Sequence, residues 1–277
     1  MSYPYLIQGK NIVIVVGSKS HTINSTHVNY SKVLEAIKAE DWDAIKDVVE
    51  PKKIVLDYGK GYVSIQGDKL FWKDRELHTT LAMRMIEMAR DGFPIKPLVL
   101  FMENLMKNPS KRAVTELYRF LELGNLPITS DGYFLAYKNV NENYLDIHSR
   151  TVLNKVASTL TDEDKESIAL PQGKKQEVTV DVSSGETVVS MERNEVDDNK
   201  DNTCSEGLHF CSQNYLKSFS ADNGHTMILK INPRDVVSIP SDYRDSKGRT
   251  CRYTVIGEVG TDVAEGAFSR PVQDNAN

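Results

Sequence analysis

The sequence predicts an α+β fold: an N-terminal mixed module, a helical middle and a C-terminal mostly β domain. Three observations predict it. Short β-rich runs stand at both ends of the chain, as at Ile12–Val16 and Met227–Ile231. Three stripes of apolar residues at helical spacing lie between Thr79 and Gly124. Past Ile128 the runs turn short and β-rich, with Pro233 and Pro240 as punctuation. With 277 residues, 40% of them hydrophobic, the chain has material for a sizeable core and for two domains.

Taken in order, Ile12–Gly17 and Ser20–Asn24 predict an opening hairpin turning at Gly17-Ser18. Tyr30, Val33, Leu34 and Ile37 then recur as on one helix face. Asp41 is placed to cap a second short helix carrying Trp42, Ile45, Val48 and Val49. Tyr62–Gln66 and Lys69–Trp72 predict a second hairpin about Gly67-Asp68. These elements form an N-terminal α+β module over residues 1–75.

A helical segment over residues 76–127 follows. Its stripes are Leu81, Met85, Met88; then Leu98, Phe101, Met102, Leu105; then Val114, Leu117, Tyr118, Leu121. Pro97 suits a first helical position, Ser110 an N-cap and Gly124 the residue past a helix end. The C-terminal sheet domain is expected over residues 128–260. Ile128–Lys138 reads as a hairpin about Asp131-Gly132, with Phe134, Ala136 and Lys138 sharing a face. On a strand over Asn143–Ser149, Tyr144, Asp146 and His148 would share another. Residues 156–186 lose periodicity and read as an acidic insertion with a strand at Val178–Val182. Strands are expected at Thr187–Met191, Met227–Ile231, Val236–Ile239 and Cys251–Ile256, and residues 261–277 read as a flexible tail.

Net charge is -5, and it is local: residues 157–202 hold twelve Asp or Glu against five Lys or Arg. That balance opposes DNA binding, which needs clustered cations on the phosphate backbone. The longest apolar run is far short of a membrane span. The first residues lack the basic start and long apolar centre of a secretion signal. Three cysteines make no disulfide framework and fit a reducing cytoplasm.

Chemistry concentrates in Cys204–Ser212, which holds two of the three cysteines and one of the six histidines. Alternation on a strand puts Leu208 and Phe210 on one side, His209 and Cys211 on the other. Cys204, His209, Cys211 and Cys251, with His148, supply the thiolates and imidazoles that zinc selects. No C-x-x-C pair is present, and buried thiols acting as small hydrophobes are the plain alternative. No cofactor is the first expectation and zinc the second. Asp197, Asn199, Asp201 and Thr203 mimic the start of a calcium loop, but Asn202 and Leu208 replace its glycine and its bidentate glutamate. A Cys211 nucleophile with His209 as base, oriented by Asp146 or His148, would be a thiol-catalysis arrangement. No protease signature surrounds it, so the reading leans away from an enzyme.

Gly207–Phe219 followed by two strands also resembles the split sheet of ADP-ribosyltransferase-like folds. A nucleotide ligand would then contact Lys138, Arg193, His209 and Arg252. The candidate ligand-binding set is Tyr144, Asp146, His148, Arg193, His209, Cys211 and Arg252, expected to converge on one polar hollow. This is the alternative reading, a nucleotide-binding or nucleotide-modifying protein that counters a host defence signal.

Six ordered motifs carry a family resemblance. Met102–Ser110 (M-E-N-L-M-K-N-P-S), Asp131–Lys138 (D-G-Y-F-L-A-Y-K), Asn143–Ser149 (N-Y-L-D-I-H-S), Cys204–Ser212 (C-S-E-G-L-H-F-C-S), Pro233–Tyr243 (P-R-D-V-V-S-I-P-S-D-Y) and Arg249–Tyr253 (R-T-C-R-Y) are similar to the RIIB rapid-lysis proteins of tailed phages. The resemblance implies a phage protein of the infected host's cytoplasm, peripheral to the inner membrane. It implies lysis inhibition, protection against prophage exclusion or host defence, and a larger RIIA-like protein partner. It brings no enzymatic activity. Some members begin with a helix-turn-helix-like segment that this chain lacks, and some carry cysteine at the place of Ile147. Self-association is a further expectation.

Overall fold

The computed structural model describes all residues except 1, 28, 50–54, 57–60, 67–68, 74, 77–78, 91–94, 125, 171–177, 217–223, 242–245 and 261–277. The turn expected at Gly67-Asp68, the Gly- and Lys-containing stretch at Gln172–Lys175, Phe219 and the expected tail lie outside the described residues. The chain divides into two compact units, Met1–Val99 and Leu100–Asn277. That division falls inside one helix, so the helical segment expected over residues 76–127 is shared between them.

In the first unit, β1 (Tyr5–Gln8), β2 (Asn11–Val16) and β3 (Lys19–Asn24) make an antiparallel meander in that order. Ile12, Ile14 and Ile23 point inward from it. They pack with Val33 and Ile37 of α1 (Tyr30–Lys38) and Ile45 and Val49 of α2 (Trp42–Val49). Asp41 does cap α2, accepting from the Ala44 N–H at 3.0 Å. A second sheet joins β4 (Val63–Gln66), β5 (Lys69–Trp72) and β6 (Arg75–Glu76), followed by α3 (Thr79–Arg90). Strand β1 was not legible: its side chains are exposed on both faces and show no alternation of burial.

The second unit takes in most of α4 (Lys96–Met106), then α5 (Lys111–Gly124), which buries Ala113, Leu117, Tyr118, Phe120 and Leu121. Its sheet has eight antiparallel strands: β7 (Phe134–Val140), β8 (Thr179–Asp181), β9 (Thr187–Ser190), β10 (Leu208–Cys211), β11 (His225–Ile231), β12 (Val236–Ser238), β13 (Lys247–Thr250) and β14 (Arg252–Glu258). Their order is β12-β13-β10-β7-β11-β14-β9-β8. The eight strands form one hydrogen-bonded set whose narrowest join, a single residue pair, lies between β10 and β7. Strand β7 lies between β10 and β11, paired to β11 along its whole length and to β10 through Cys211 opposite Tyr137.

Central placement explains β7: Phe134, Ala136, Tyr137, Lys138 and Val140 are all buried. The turn before it depends on Gly132, whose φ is +78°. A Cβ there would sit 2.4 Å from the backbone C of Leu100 and the N of Phe101. The acidic insertion is more regular than expected. Thr161 and Asp164 form a reciprocal capping box that starts α6 (Asp162–Ile168), and Lys155 reaches Asp164 at 2.9 Å.

Candidate functional site

Lys138 begins the site. It follows Phe134 and Ala136 on an apolar strand face, so its ammonium enters the interior and needs a counter-charge. Asp146 supplies it through a short contact between Lys138 Nζ and Asp146 Oδ2. Lys138 Nζ also donates to the His209 carbonyl at 3.3 Å. Asp146 Oδ1 accepts the N–H groups of His148 at 2.9 Å and Ser149 at 3.2 Å. Burial alone would raise the Asp146 pKa; the Lys138 ammonium and those two N–H groups outweigh it and hold the carboxyl well below the usual carboxylate range.

His209 stands beside the pair on β10. Its Nε2 lies 2.9 Å from the Ser205 carbonyl oxygen. A carbonyl only accepts, so Nε2 carries the proton and Nδ1 keeps its lone pair. Burial, then the Lys138 charge, push the His209 pKa down to about 4, so the ring is neutral near pH 7. The His148 ring meets it edge-on with centroids 5.9 Å apart. Together these groups line a half-open cavity of about 100 Å³ whose walls include Ile147, Phe210 and Tyr215.

Asp146, His148, His209 and Cys211 line this one cavity, and Cys204 reaches it too. The others do not. Residues 141–150 form a turn rather than a strand, because Asn141 Oδ1 accepts both the Asn143 and the Leu145 N–H at 2.9 Å. Tyr144 adopts a left-handed φ of +61° and turns away from Asp146. Its ring stacks on His225 at 3.9 Å and its hydroxyl donates to Glu258 at 3.1 Å. Arg252 is exposed on β14, with Asp181 as a nearby charge.

Arg193 is a clamp elsewhere in the unit. It donates to the carbonyls of Arg234 at 3.0 Å and Val236 at 2.9 Å, and to Asn108 Oδ1 at 3.0 Å. Buried Asn108 in turn donates to the carbonyls of Pro233 and Val236. Replacing Arg193 by Met is expected to cost about 2 kcal/mol, the scale of lost charge-assisted hydrogen bonds, read as a lower urea midpoint.

The zinc candidates are likewise divided. Cys251 lies by Asp235 and Arg193, away from the other thiols. Among the described residues no three His, Cys, Asp or Glu side chains gather to hold a metal ion. Burial pushes the Cys211 thiol up to about 12, and its Sγ–H donates to the Tyr137 carbonyl at 3.4 Å. A thiol so held is a neutral hydrogen-bond donor, not the thiolate that nucleophilic catalysis requires. The calcium-like loop spends its acceptors on itself: Asp197 takes the Asn199 N–H at 2.8 Å and the Asn202 amide at 2.7 Å.

The sequence pointed to Lys138 only as a nucleotide contact, outside the candidate binding set. The signal was available, since a lysine in register with Phe134 and Ala136 implies a buried charge seeking a carboxylate. Arg249 was overlooked as well. It is fully buried and donates to the carbonyls of Asn202 at 2.6 Å and Asn199 at 2.7 Å, fixing the acidic loop that precedes β10.

Comparison with known proteins adds what geometry does not. No solved structure matches the chain. The protein rIIB of Enterobacteria phage T4 is 34% identical over 247 residues, which span 89% of this chain and 70% of that protein. The family described as Bacteriophage T4 protein rIIB matches over residues 4–164 and 165–270. The chain belongs to the phage rIIB family.

Proposed function

We propose that this protein is a non-enzymatic phage accessory protein that acts in the infected host's cytoplasm, in lysis inhibition and in protection against prophage exclusion or host defence, by binding an RIIA-like protein partner. Family membership supports the biological role. One structural observation supports the mode. Strand β1 is an edge strand of the first unit's meander, and Tyr5, Leu6 and Ile7 on it are 49%, 59% and 42% exposed. It carries no charge. Soluble proteins ordinarily protect such an edge with lysine, proline or a covering loop. An uncharged, two-sided apolar edge suits addition of a strand from a partner chain, whose main chain would supply the hydrogen bonds.

Among the described residues no helix is long and apolar enough to cross a membrane. In this reading, contact with the inner membrane is peripheral and runs through the partner. Replacing both Leu6 and Ile7 by Lys in infected cells is expected to abolish copurification of the partner. Stability of the purified variant should change by no more than about 0.5 kcal/mol, as both sites are exposed. Equal recovery of the partner with both variant and parent would overturn the assignment of β1. Light scattering of the purified protein tells whether a second copy takes the edge instead.

A further inference from the structure

We propose that the cavity between β7, β10 and the turn at residues 145–149 binds a small planar ligand: a single six-membered heteroaromatic ring that carries an amide-type edge, N–H beside C=O. The site is independent of strand β1 and goes beyond the partner-binding role.

Three observations carry it. The first is size. A closed apolar cavity of about 150 Å³ accepts benzene. This one measures about 100 Å³ and is half-open, so it suits a single ring whose substituent stands in the mouth. The second is the wall. Ile147 and Phe210 help make it apolar, as small-molecule sites are, with few polar groups to orient the ligand.

The third is the unspent hydrogen-bonding capacity. His209 has committed Nε2–H to Ser205, so Nδ1 is an acceptor on a residue that lines the cavity. Lys138 has three ammonium protons and uses two of them, on Asp146 and on the His209 carbonyl. A ligand that gives N–H to His209 Nδ1 and takes the third Lys138 proton on its carbonyl oxygen satisfies both. Only a neighbouring donor and acceptor do this at once, which is the amide edge. The ion pair itself argues for a role: burying two charges returns little stability beyond what apolar packing would give. It does hold a fixed, oriented donor in the lining of a mostly apolar hollow, which is what recognition of a neutral polar edge needs.

A uracil ring and a nicotinamide ring share this chemistry, and the test separates them. Isothermal titration of the full chain with uridine, 3-methyluridine, nicotinamide and benzyl alcohol is the experiment. Uridine or nicotinamide is expected to bind. For uridine, methylation at N3 removes the donor and should weaken binding about tenfold or more, the scale of one lost hydrogen bond in a desolvated site. His209→Phe should erase that difference. If this variant fails to fold, the NMR shift of the His209 ring on titration of the parent protein replaces it, and it must move with uridine and not with 3-methyluridine. Nicotinamide binding without uridine binding keeps the class and selects the source; the His209 shift must then move with nicotinamide. No binding by either ring at about 10 mM, affinity for uridine equal to that for its methylated form, or equal binding of benzyl alcohol would each overturn the proposal.

Discussion

Asp146→Ala is expected to lower stability by about 3–5 kcal/mol, the range found when one partner of a buried ion pair is removed. The reason is the partner left behind. Lys138 is 7% exposed on a strand paired on both sides, so it cannot swing its ammonium into water. Its remaining contact is a carbonyl at 3.3 Å. The turn also suffers, since the N–H groups of His148 and Ser149 lose their acceptor. A double replacement, Lys138→Met with Asp146→Leu, removes both charges and should recover much of the loss. Urea unfolding of the three proteins checks this, and equal losses in the single and double variants would contradict it.

The same pair predicts how the parent protein responds to acid. His209 titrates near 6.5 when unfolded and near 4 when folded, so the unfolded chain binds the extra proton first. Its contribution is whole above about pH 6.5 and drains away as pH falls toward 4. Asp146 is depressed from its ordinary 3.8, so its contribution is whole above that value and is lost only below it. Acid should therefore destabilise the fold in two stages, histidine first. The Asp146→Ala protein should keep the first stage and lose the second.

How far this site could be read from residues alone depended on the kind of signal. Strand β10 was legible because Leu208 and Phe210 alternate with His209 and Cys211; the burial alternates through Phe210, and Cys211 is buried as well. Strand β13 was not. Its residues, Lys247, Gly248, Arg249 and Thr250, carry no apolar pattern. They form a strand because Gly248 leaves room for the Phe210 ring and because Arg249 finds carbonyl acceptors on the acidic loop. Both reasons lie far off in the chain, where periodicity cannot see them. Tyr144 misled for a related cause. The pattern Tyr144, Asp146, His148 has period two, but Asn141 turns the backbone with its own side chain, and local polar competition of that kind overrides alternation. Arg193 and Cys251 were grouped with the site by chemistry alone. They meet each other instead, at the junction of Asn108 with β12.

Phe210→Ala should be the most damaging core substitution, at about 3–5 kcal/mol for the lost side chain and its cavity. The ring is fully buried, lies edge-on to Phe120 of α5 at 5.5 Å and to Phe134 of β7 at 5.7 Å, and so joins the helix to the middle of the sheet. Each such aromatic pair adds about 0.5–1.5 kcal/mol beyond burial. Opposite it on β13 stands Gly248, where a Cβ would come within 2.2 Å of the Phe210 ring. Gly248→Ala should therefore destabilise by overpacking, by about 1–3 kcal/mol. Phe210→Leu vacates the space that the alanine methyl would need. The two changes together should cost less than the sum of their separate costs, a coupling that a double-mutant cycle measures. Strict additivity would mean that the ring does not rest on Gly248, and that β13 is held to β10 by its main-chain pairing alone.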